Sequence, residues 1–231
     1  MKIKYGMILA AGLGKRMQPM TLKTPKPLIR IGNKTLLDSA IKLLINHGVE
    51  QIAINVHHLA DQIKSFINEG QYKIKIIISD ERDVLLDTGG GILNATKSFK
   101  KPFIVVNPDT LWRNVYLSEL SDLEDFYFKY KKACLLLVNK NLSFDNSFSG
   151  DFNLQDGIVS RDNSNELIFT GLQILDHSVF SSIEGKIFSM NKIWNNLIEK
   201  KFLIGVKSNQ KFYHLNTKEM HAKILDLNIT D

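Results

Sequence analysis

Apolar positions in the first 138 residues fall into two alternating textures. Short, largely apolar runs (Tyr5 to Ala10, Gln51 to Asn55, Lys73 to Ser79, Phe103 to Asn107 and Ala133 to Val138) read as strands covered on both faces. Between them apolar residues recur at helical spacing: Leu36, Leu37, Ala40, Ile41, Leu43 and Leu44 in one segment, Ile63, Phe66 and Ile67 within Asp61 to Asn68 in the next. Asp87-Thr88 is placed to cap a helix through Ser98, and Leu117 to Lys129 carries another. Strand and helix in turn predict an α/β fold, a Rossmann-like, doubly wound, mainly parallel sheet. Past residue 138 polar turn residues take over, at Asn139 to Gly150, Gln155-Asp156-Gly157 and Arg161 to Asn165, which predicts a small antiparallel region inside a mixed sheet. Residues 166 to 175 read as a strand, Ser189 to Lys200 as a helix opened by a serine cap, and Thr217 to Leu227 as a closing helix capped by Thr217. No linker is visible, so one domain over 1–231 is expected, with halves at 1–138 and 139–231.

Composition narrows the class. The 231 residues are 44% hydrophobic and 23% charged, values of a globular chain whose core needs no disulfide or structural metal. The one cysteine, Cys134, lies in an apolar run and reads as a small buried hydrophobe. Lys2 and Lys4 flank a short apolar start with no cleavage site, and no run of eighteen apolar residues occurs, so a cytoplasmic protein with no membrane partner is expected. The net charge of +6 favours anionic ligands. It comes mostly from lysines scattered singly or in short pairs, the texture of a solvated surface, so no nucleic-acid partner is expected.

The candidate chemistry begins right after the first strand, at Leu9-Ala10-Ala11-Gly12-Leu13-Gly14-Lys15-Arg16-Met17. Gly12 and Gly14 let backbone N–H groups approach a phosphate chain, and Lys15 and Arg16 supply countercharge. The segment is not a P-loop, which needs Ser or Thr after the lysine, nor a dinucleotide fingerprint, which needs Gly or Ala at Met17. Two readings stay open for it: a phosphate cradle, or a turn with two exposed cations. The continuation Pro25-Lys26-Pro27 holds Lys26 between two prolines, which stiffens the chain around one ammonium group. Gly89, Gly90 and Gly91 open the predicted third helix, where free N–H groups and missing side chains would let a base or phosphate lie against the backbone. Asp109 follows the carboxyl end of a strand, the ligand-binding edge of open α/β sheets, though on the residues alone a capping role is the preferred reading there. His57-His58 point to opposite sides of an extended segment and read as cap or surface residues. Phe126, Tyr127, Phe128 and Tyr130 lie on a predicted helix and read as packing.

The joined pattern, Gly-x-Gly-x-Arg-Met followed by Pro-Lys-Pro-Leu, resembles the signature of the sugar nucleotidyltransferases. Asp87-Thr88-Gly89-Gly90-Gly91, Asn107-Pro108-Asp109 and Gly150-Asp151-Phe152 are similar to later segments of that family. The resemblance implies a bacterial enzyme of cell-wall recycling that joins a nucleoside triphosphate, UTP, to a sugar 1-phosphate, N-acetylmuramate 1-phosphate, and releases pyrophosphate. It implies that Arg16 and Lys26 are catalytic, and that Leu9, Ala10, Ala11, Gly12, Gly14, Lys15, Thr88, Gly89 and Gly90 hold the nucleotide. Asn107, Asn139, Gly150, Asp151 and Gly171 would face the sugar. A divalent metal, magnesium in the family, would sit on Asp109 and on the residue in the place of a second aspartate, which here is His214; that exchange points to manganese or cobalt. A mannose-1-phosphate guanylyltransferase and a non-catalytic nucleotide or nucleotide-sugar sensor are the competing readings. The chain is expected to act as a monomer or homodimer.

Overall fold

In the computed structural model, which describes residues 2–227 and Ile229, the chain winds around a nine-stranded mixed sheet. The first strand, β1 (Tyr5–Leu9), is followed by a small hairpin, β2 (Arg30–Ile31) and β3 (Lys34–Thr35), and by helix α1 (Leu36–His47). Next come β4 (Gln51–Val56), α2 (Ala60–Glu69), β5 (Lys75–Asp80), α3 (Asp87–Thr96), β6 (Phe103–Val106), α4 (Tyr116–Tyr130) and β7 (Ala133–Asn139). The short strands β8 (Asn153–Gln155) and β9 (Ile158–Ser160) precede β10 (Leu167–Leu175), α5 (Met190–Glu199), β11 (Leu203–Ser208) and α6 (Lys218–Asp226).

The order across the large sheet is β5-β4-β1-β6-β10-β7-β11-β9-β8. β5, β4, β1 and β6 are parallel, as are β7 and β11, while β10 runs antiparallel between β6 and β7 and joins the two parallel sets. The chain builds outward from β1 through β4 to β5, then returns to place β6 on β1's other side. That reversal opens a crevice at the carboxyl ends of β1 and β6, where open α/β sheets bind ligands.

Alternation along the strands divides the core. Ile8, Ile104, Val106 and Leu136 pack with Leu37, Ile63 and Tyr116 from α1, α2 and α4 on one face. Met7, Phe103, Val105 and Leu135 pack with Ile92, Trp194 and Leu197 from α3 and α5 on the other. This is the doubly wound arrangement expected from the sequence, with β10 and the β8–β9 hairpin as its antiparallel part. Tyr127 is buried within the first face with Phe126 and Phe128 packed against it, whereas Tyr130 is exposed, so the packing role expected of the aromatic segment fails at its last ring; Cys134 is fully buried, which pushes its thiol pKa up.

Two expectations need correction. The sequence reading made no strand of Leu203–Ser208, which pairs in parallel with β7 as β11. Asp87 and Thr88 do not cap α3, and the helix stops at Thr96 rather than Ser98: its N-cap position is Leu86, with no side-chain cap. The free donors are satisfied from elsewhere. The Phe188 carbonyl accepts from the Gly89 and Gly90 N–H groups at 2.9 and 3.0 Å, and Glu81 Oε2 accepts from the Leu86 N–H at 3.2 Å. The predicted caps Ser189 and Thr217 do accept from the Asn191 and Met220 N–H groups.

Candidate active site

The crevice at the β1–β6 switch forms a cleft of about 240 Å³, lined on the phosphate-loop side by Leu9, Ala11, Gly12, Lys26 and Pro27. Asn55, Leu85, Asp87 and Thr88 line it on one side and Asn107, Pro108 and Asp109 on the other. Seven of the residues expected from the sequence therefore meet in one place: Leu9, Ala11, Gly12, Lys26, Thr88, Asn107 and Asp109.

The loop between β1 and β2 folds as a chain of single turns, Lys15–Met17, Met20–Leu22 and Lys26–Leu28. Gly14 has φ +61°, and a Cβ there would lie 2.8 Å from Thr21 Cγ2 and 3.3 Å from Lys26 Cβ, so the glycine lets the loop close on itself. Thr21 Oγ1 donates to the Gly14 carbonyl at 2.9 Å. At Gly12, by contrast, a Cβ would meet nothing within 4 Å, leaving backbone open to the cleft. Lys15 and Arg16 are exposed and lie outside the cleft lining, with no carboxylate partner among the described residues.

Lys26 reaches across the cleft: its Nζ lies 2.7 Å from Asp109 Oδ2, with the lysine side chain 15% exposed. His214 Nε2 contacts the same oxygen at 3.0 Å. Backbone pairing brings the histidine there, because the Leu215 N–H donates to the Asp109 carbonyl and the Leu111 N–H to the Tyr213 carbonyl, at 2.8 and 2.9 Å. Burial pushes the Asp109 carboxyl toward its neutral form, but His214 and Lys26 win and hold it well below the usual carboxylate range.

Among the described residues no group of three or more His, Cys, Asp or Glu side chains could hold a metal. The pair Asp109 and His214 can nonetheless fit a six-coordinate ion. Neighbouring ligands of an octahedral ion with bonds of about 2.1 Å lie about 3 Å apart, and this oxygen and nitrogen are separated by 3.0 Å. The mixed oxygen and nitrogen set suits manganese or cobalt better than magnesium, and phosphates and water would have to complete the shell.

The remaining expected residues are placed differently. Ala10 is buried and donates its N–H to Asn55 Oδ1 at 2.9 Å. The Gly89 and Gly90 N–H groups are not free, as described above: a Cβ on Gly90 would lie 2.1 Å from the Lys186 carbonyl, so these glycines make room for the segment 186–188 rather than for a ligand. Gly171, at φ +92°, backs Asn107: its carbonyl accepts from the Asn107 N–H at 2.8 Å, and a Cβ would lie 2.8 Å from Asn107 Cβ. Asn107 Oδ1 is buried without a hydrogen-bond partner, an acceptor waiting for a donor. Asn139, Gly150 and Asp151 do not line the cleft: Asn139 Oδ1 accepts from the Asn141 N–H, and Asp151 Oδ2 from the Phe169 N–H.

Sequence reasoning missed Asn55 and Glu81. Asn55 Nδ2 donates to Glu81 Oε1 at 2.8 Å, so a buried amide on β4 and a carboxylate just past β5 brace the start of the phosphate loop. The available signal was a polar residue near the end of an apolar strand. His58 was also underestimated: its Nε2 lies 2.7 Å from the Thr21 carbonyl, and Gln62 Nε2 donates to the Lys23 carbonyl at 2.9 Å.

With this geometry established, comparison with known proteins is decisive. Residues 5–141 match the family model described as nucleotidyl transferase. The chain belongs to that family. It is 30% identical over 221 residues to the N-acetylmuramate alpha-1-phosphate uridylyltransferase of Caulobacter vibrioides, covering 92% of this chain and 91% of that protein. Its identity to the enzyme of the same name from Neisseria meningitidis serogroup B is 33% over 183 residues, 77% of this chain and 78% of that one. The fold is shared with UDP-glucose pyrophosphorylase, solved in complex with UDP-glucose, at a TM-score of 0.76 and 20% identity, with 98% of each chain covered. The sugar nucleotidyltransferase resemblance read from the loop motifs is thereby borne out, and the chain is an enzyme of the sugar-1-phosphate nucleotidyltransferase type.

Proposed function

We propose that this enzyme joins UTP to N-acetylmuramate 1-phosphate and releases pyrophosphate. The observation that carries the reading is Lys26, stiffened by two prolines and fixed 2.7 Å from Asp109 in the cleft that opens beside Gly12. A phosphate oxygen of the sugar 1-phosphate attacks the α-phosphorus of the triphosphate in line. The new P–O bond forms as the bond to the bridging oxygen breaks, and pyrophosphate leaves with the electron pair. The nucleophile is already ionised, so no general base is required, and the protein's work is to position two anions and neutralise them.

In this reading Lys26 Nζ turns from Asp109 to the α-phosphate as charge builds there. The open backbone at Gly12, with Lys15 and Arg16 beside it, takes the β- and γ-phosphates. Thr88 and the neighbouring cleft wall receive the nucleoside. The partnerless Asn107 Oδ1 accepts from the sugar, and Gly171 holds Asn107 in place. A divalent ion held by Asp109 and His214 supplies further neutralisation of the phosphates when bound. Residues 1–138 then carry the nucleotide contacts and Asn107 for the sugar, while the second half contributes Gly171 behind Asn107 and His214 beside Asp109.

The test is a panel of nucleoside triphosphates and sugar 1-phosphates assayed for pyrophosphate, with binding measured in parallel. UTP with N-acetylmuramate 1-phosphate should turn over fastest. Faster turnover of GTP with mannose 1-phosphate would overturn the substrate assignment and leave the family intact. Tight binding without pyrophosphate from any pair would mean a sensor.

A further inference from the structure

The lysines that look scattered in the sequence are gathered by the fold. Strands β7 and β11 run in parallel with Leu203 level with Ala133, so the segments that precede them meet at the amino ends of the sheet. Those segments contain Lys129, Lys131 and Lys132 on one side and Lys200 and Lys201 on the other. Lys132 Nζ donates to the Lys201 carbonyl at 3.2 Å, which ties the two together. All five are exposed except Lys132, which is half-buried, and among the described residues none of them is in an ion pair. Lys100 and Lys101 lead into β6 at the same end of the sheet.

Aromatic side chains stand among these charges. Phe202 is 52% exposed and Tyr130 45% exposed. Lys132 Nζ lies 4.6 Å from the centre of the Phe202 ring, Lys129 Nζ 5.1 Å from that of Tyr130, and Lys131 Nζ 4.4 Å from that of Phe128. Exposed rings flanked by ammonium groups match the headgroup level of an anionic bilayer, where lysines meet lipid phosphates and aromatic rings lie between water and hydrocarbon. Nucleic acid fits less well: the rings already have ammonium groups against them instead of faces free to stack bases, and the patch contains no arginine.

We infer that the lysine-rich amino end of the sheet is a docking surface for anionic phospholipid membranes. It lies at the opposite end of the strands from the cleft, which opens at the carboxyl ends, so the docked enzyme keeps its site turned toward water. Among the described residues no helix is long and apolar enough to cross a membrane, so the contact is peripheral and electrostatic. The sequence expectation of no membrane partner rested on the lack of a long apolar run, and the lysines read there as separate charges; side by side they act as one polybasic surface.

The test is sedimentation of the intact enzyme with vesicles of equal parts phosphatidylglycerol and phosphatidylcholine, against vesicles of phosphatidylcholine alone. The expected result is binding to the anionic vesicles only, reversed by high salt. A variant combining Lys131→Gln, Lys132→Gln, Lys200→Gln and Lys201→Gln should bind roughly a thousandfold more weakly, with its soluble pyrophosphate release unchanged. The milder pair Lys131→Gln and Lys200→Gln, both at exposed positions, should lose roughly thirtyfold and keeps the test decisive where the larger variant folds poorly. No sedimentation of the wild type at low salt would overturn the inference. Equal binding of wild type and both variants would do the same, as would displacement of the vesicles by single-stranded RNA at lower concentration than by soluble phosphatidylglycerol headgroups.

Discussion

At Asp109 a single carboxylate oxygen meets both the Lys26 ammonium and the His214 imidazole, so each neighbour's role can be tested by what its loss does. Lys26→Ala should lower kcat by roughly a hundredfold or more while changing nucleotide KM little, because its charge is needed most as the transition state forms. Lys15→Ala, at an exposed position outside the cleft lining, should cost less than about tenfold. Steady-state kinetics decide, and equal small losses at the two positions would reduce Pro25-Lys26-Pro27 to a stiff turn. His214 makes a second prediction. With an imidazole beside the lone carboxylate, manganese or cobalt should support faster turnover than magnesium, and His214→Asp should restore the magnesium rate. Identical metal profiles in wild type and variant would remove His214 from any metal site.

The loop from Gly12 to Leu28 is held in part by residues that are not themselves in the cleft lining. His58, just ahead of α2, and Gln62, within it, hold the carbonyls of Thr21 and Lys23, and Thr21 in turn holds Gly14. His58→Ala should therefore raise nucleotide KM severalfold and leave kcat nearly unchanged, and His58→Gln, which keeps a donor, should recover part of the loss. A kcat collapse with KM intact would contradict this positioning role. At α3 the three glycines serve packing. Gly90→Ala would drive a methyl group against the Lys186 carbonyl, where 2.1 Å separates the new Cβ from that oxygen. The cost should be about 1–3 kcal/mol of stability, as for other overpacked sites. A melting temperature within error of wild type would show that segment 186–188 yields freely.

Stability of the whole molecule should depend on pH through His47, which is buried between α1 and α4 with Nε2 3.4 Å from Glu124 Oε2. Burial lowers its pKa from the usual value against the opposing pull of Glu124, while Lys2 adds to the lowering. The unfolded chain then binds more protons than the folded one below about pH 6.5. Stability is full above that pH and falls as pH drops toward the folded pKa, by at most about 1.4 kcal/mol per pH unit for this one group. Denaturant titrations at neutral and mildly acid pH should show a smaller acid loss in His47→Gln than in wild type, and parallel losses would exonerate the histidine.

Local pattern was enough to make β1, β4, β5, β6 and β7 legible, because strands covered on both faces must be apolar nearly throughout, and enough to mark the phosphate loop, because Gly-x-Gly and Pro-Lys-Pro restrict the backbone by themselves. It did not reveal β11, whose Leu203–Ser208 is interrupted by Gly205 and Lys207 and is made a strand by its pairing with β7. Nor could it assign Gly89 and Gly90 of α3, whose N–H groups look free until the Phe188 carbonyl, about a hundred residues away, arrives to accept from them. The bracing of the loop by Asn55, Glu81 and His58, and the meeting of Lys26, Asp109 and His214 on one oxygen, are likewise decided by tertiary structure. The lysines give the plainest case. Their number and the net positive charge are properties of the sequence, but parallel strands must all begin at the same end of the sheet, and only that geometry turns separate charges into a surface.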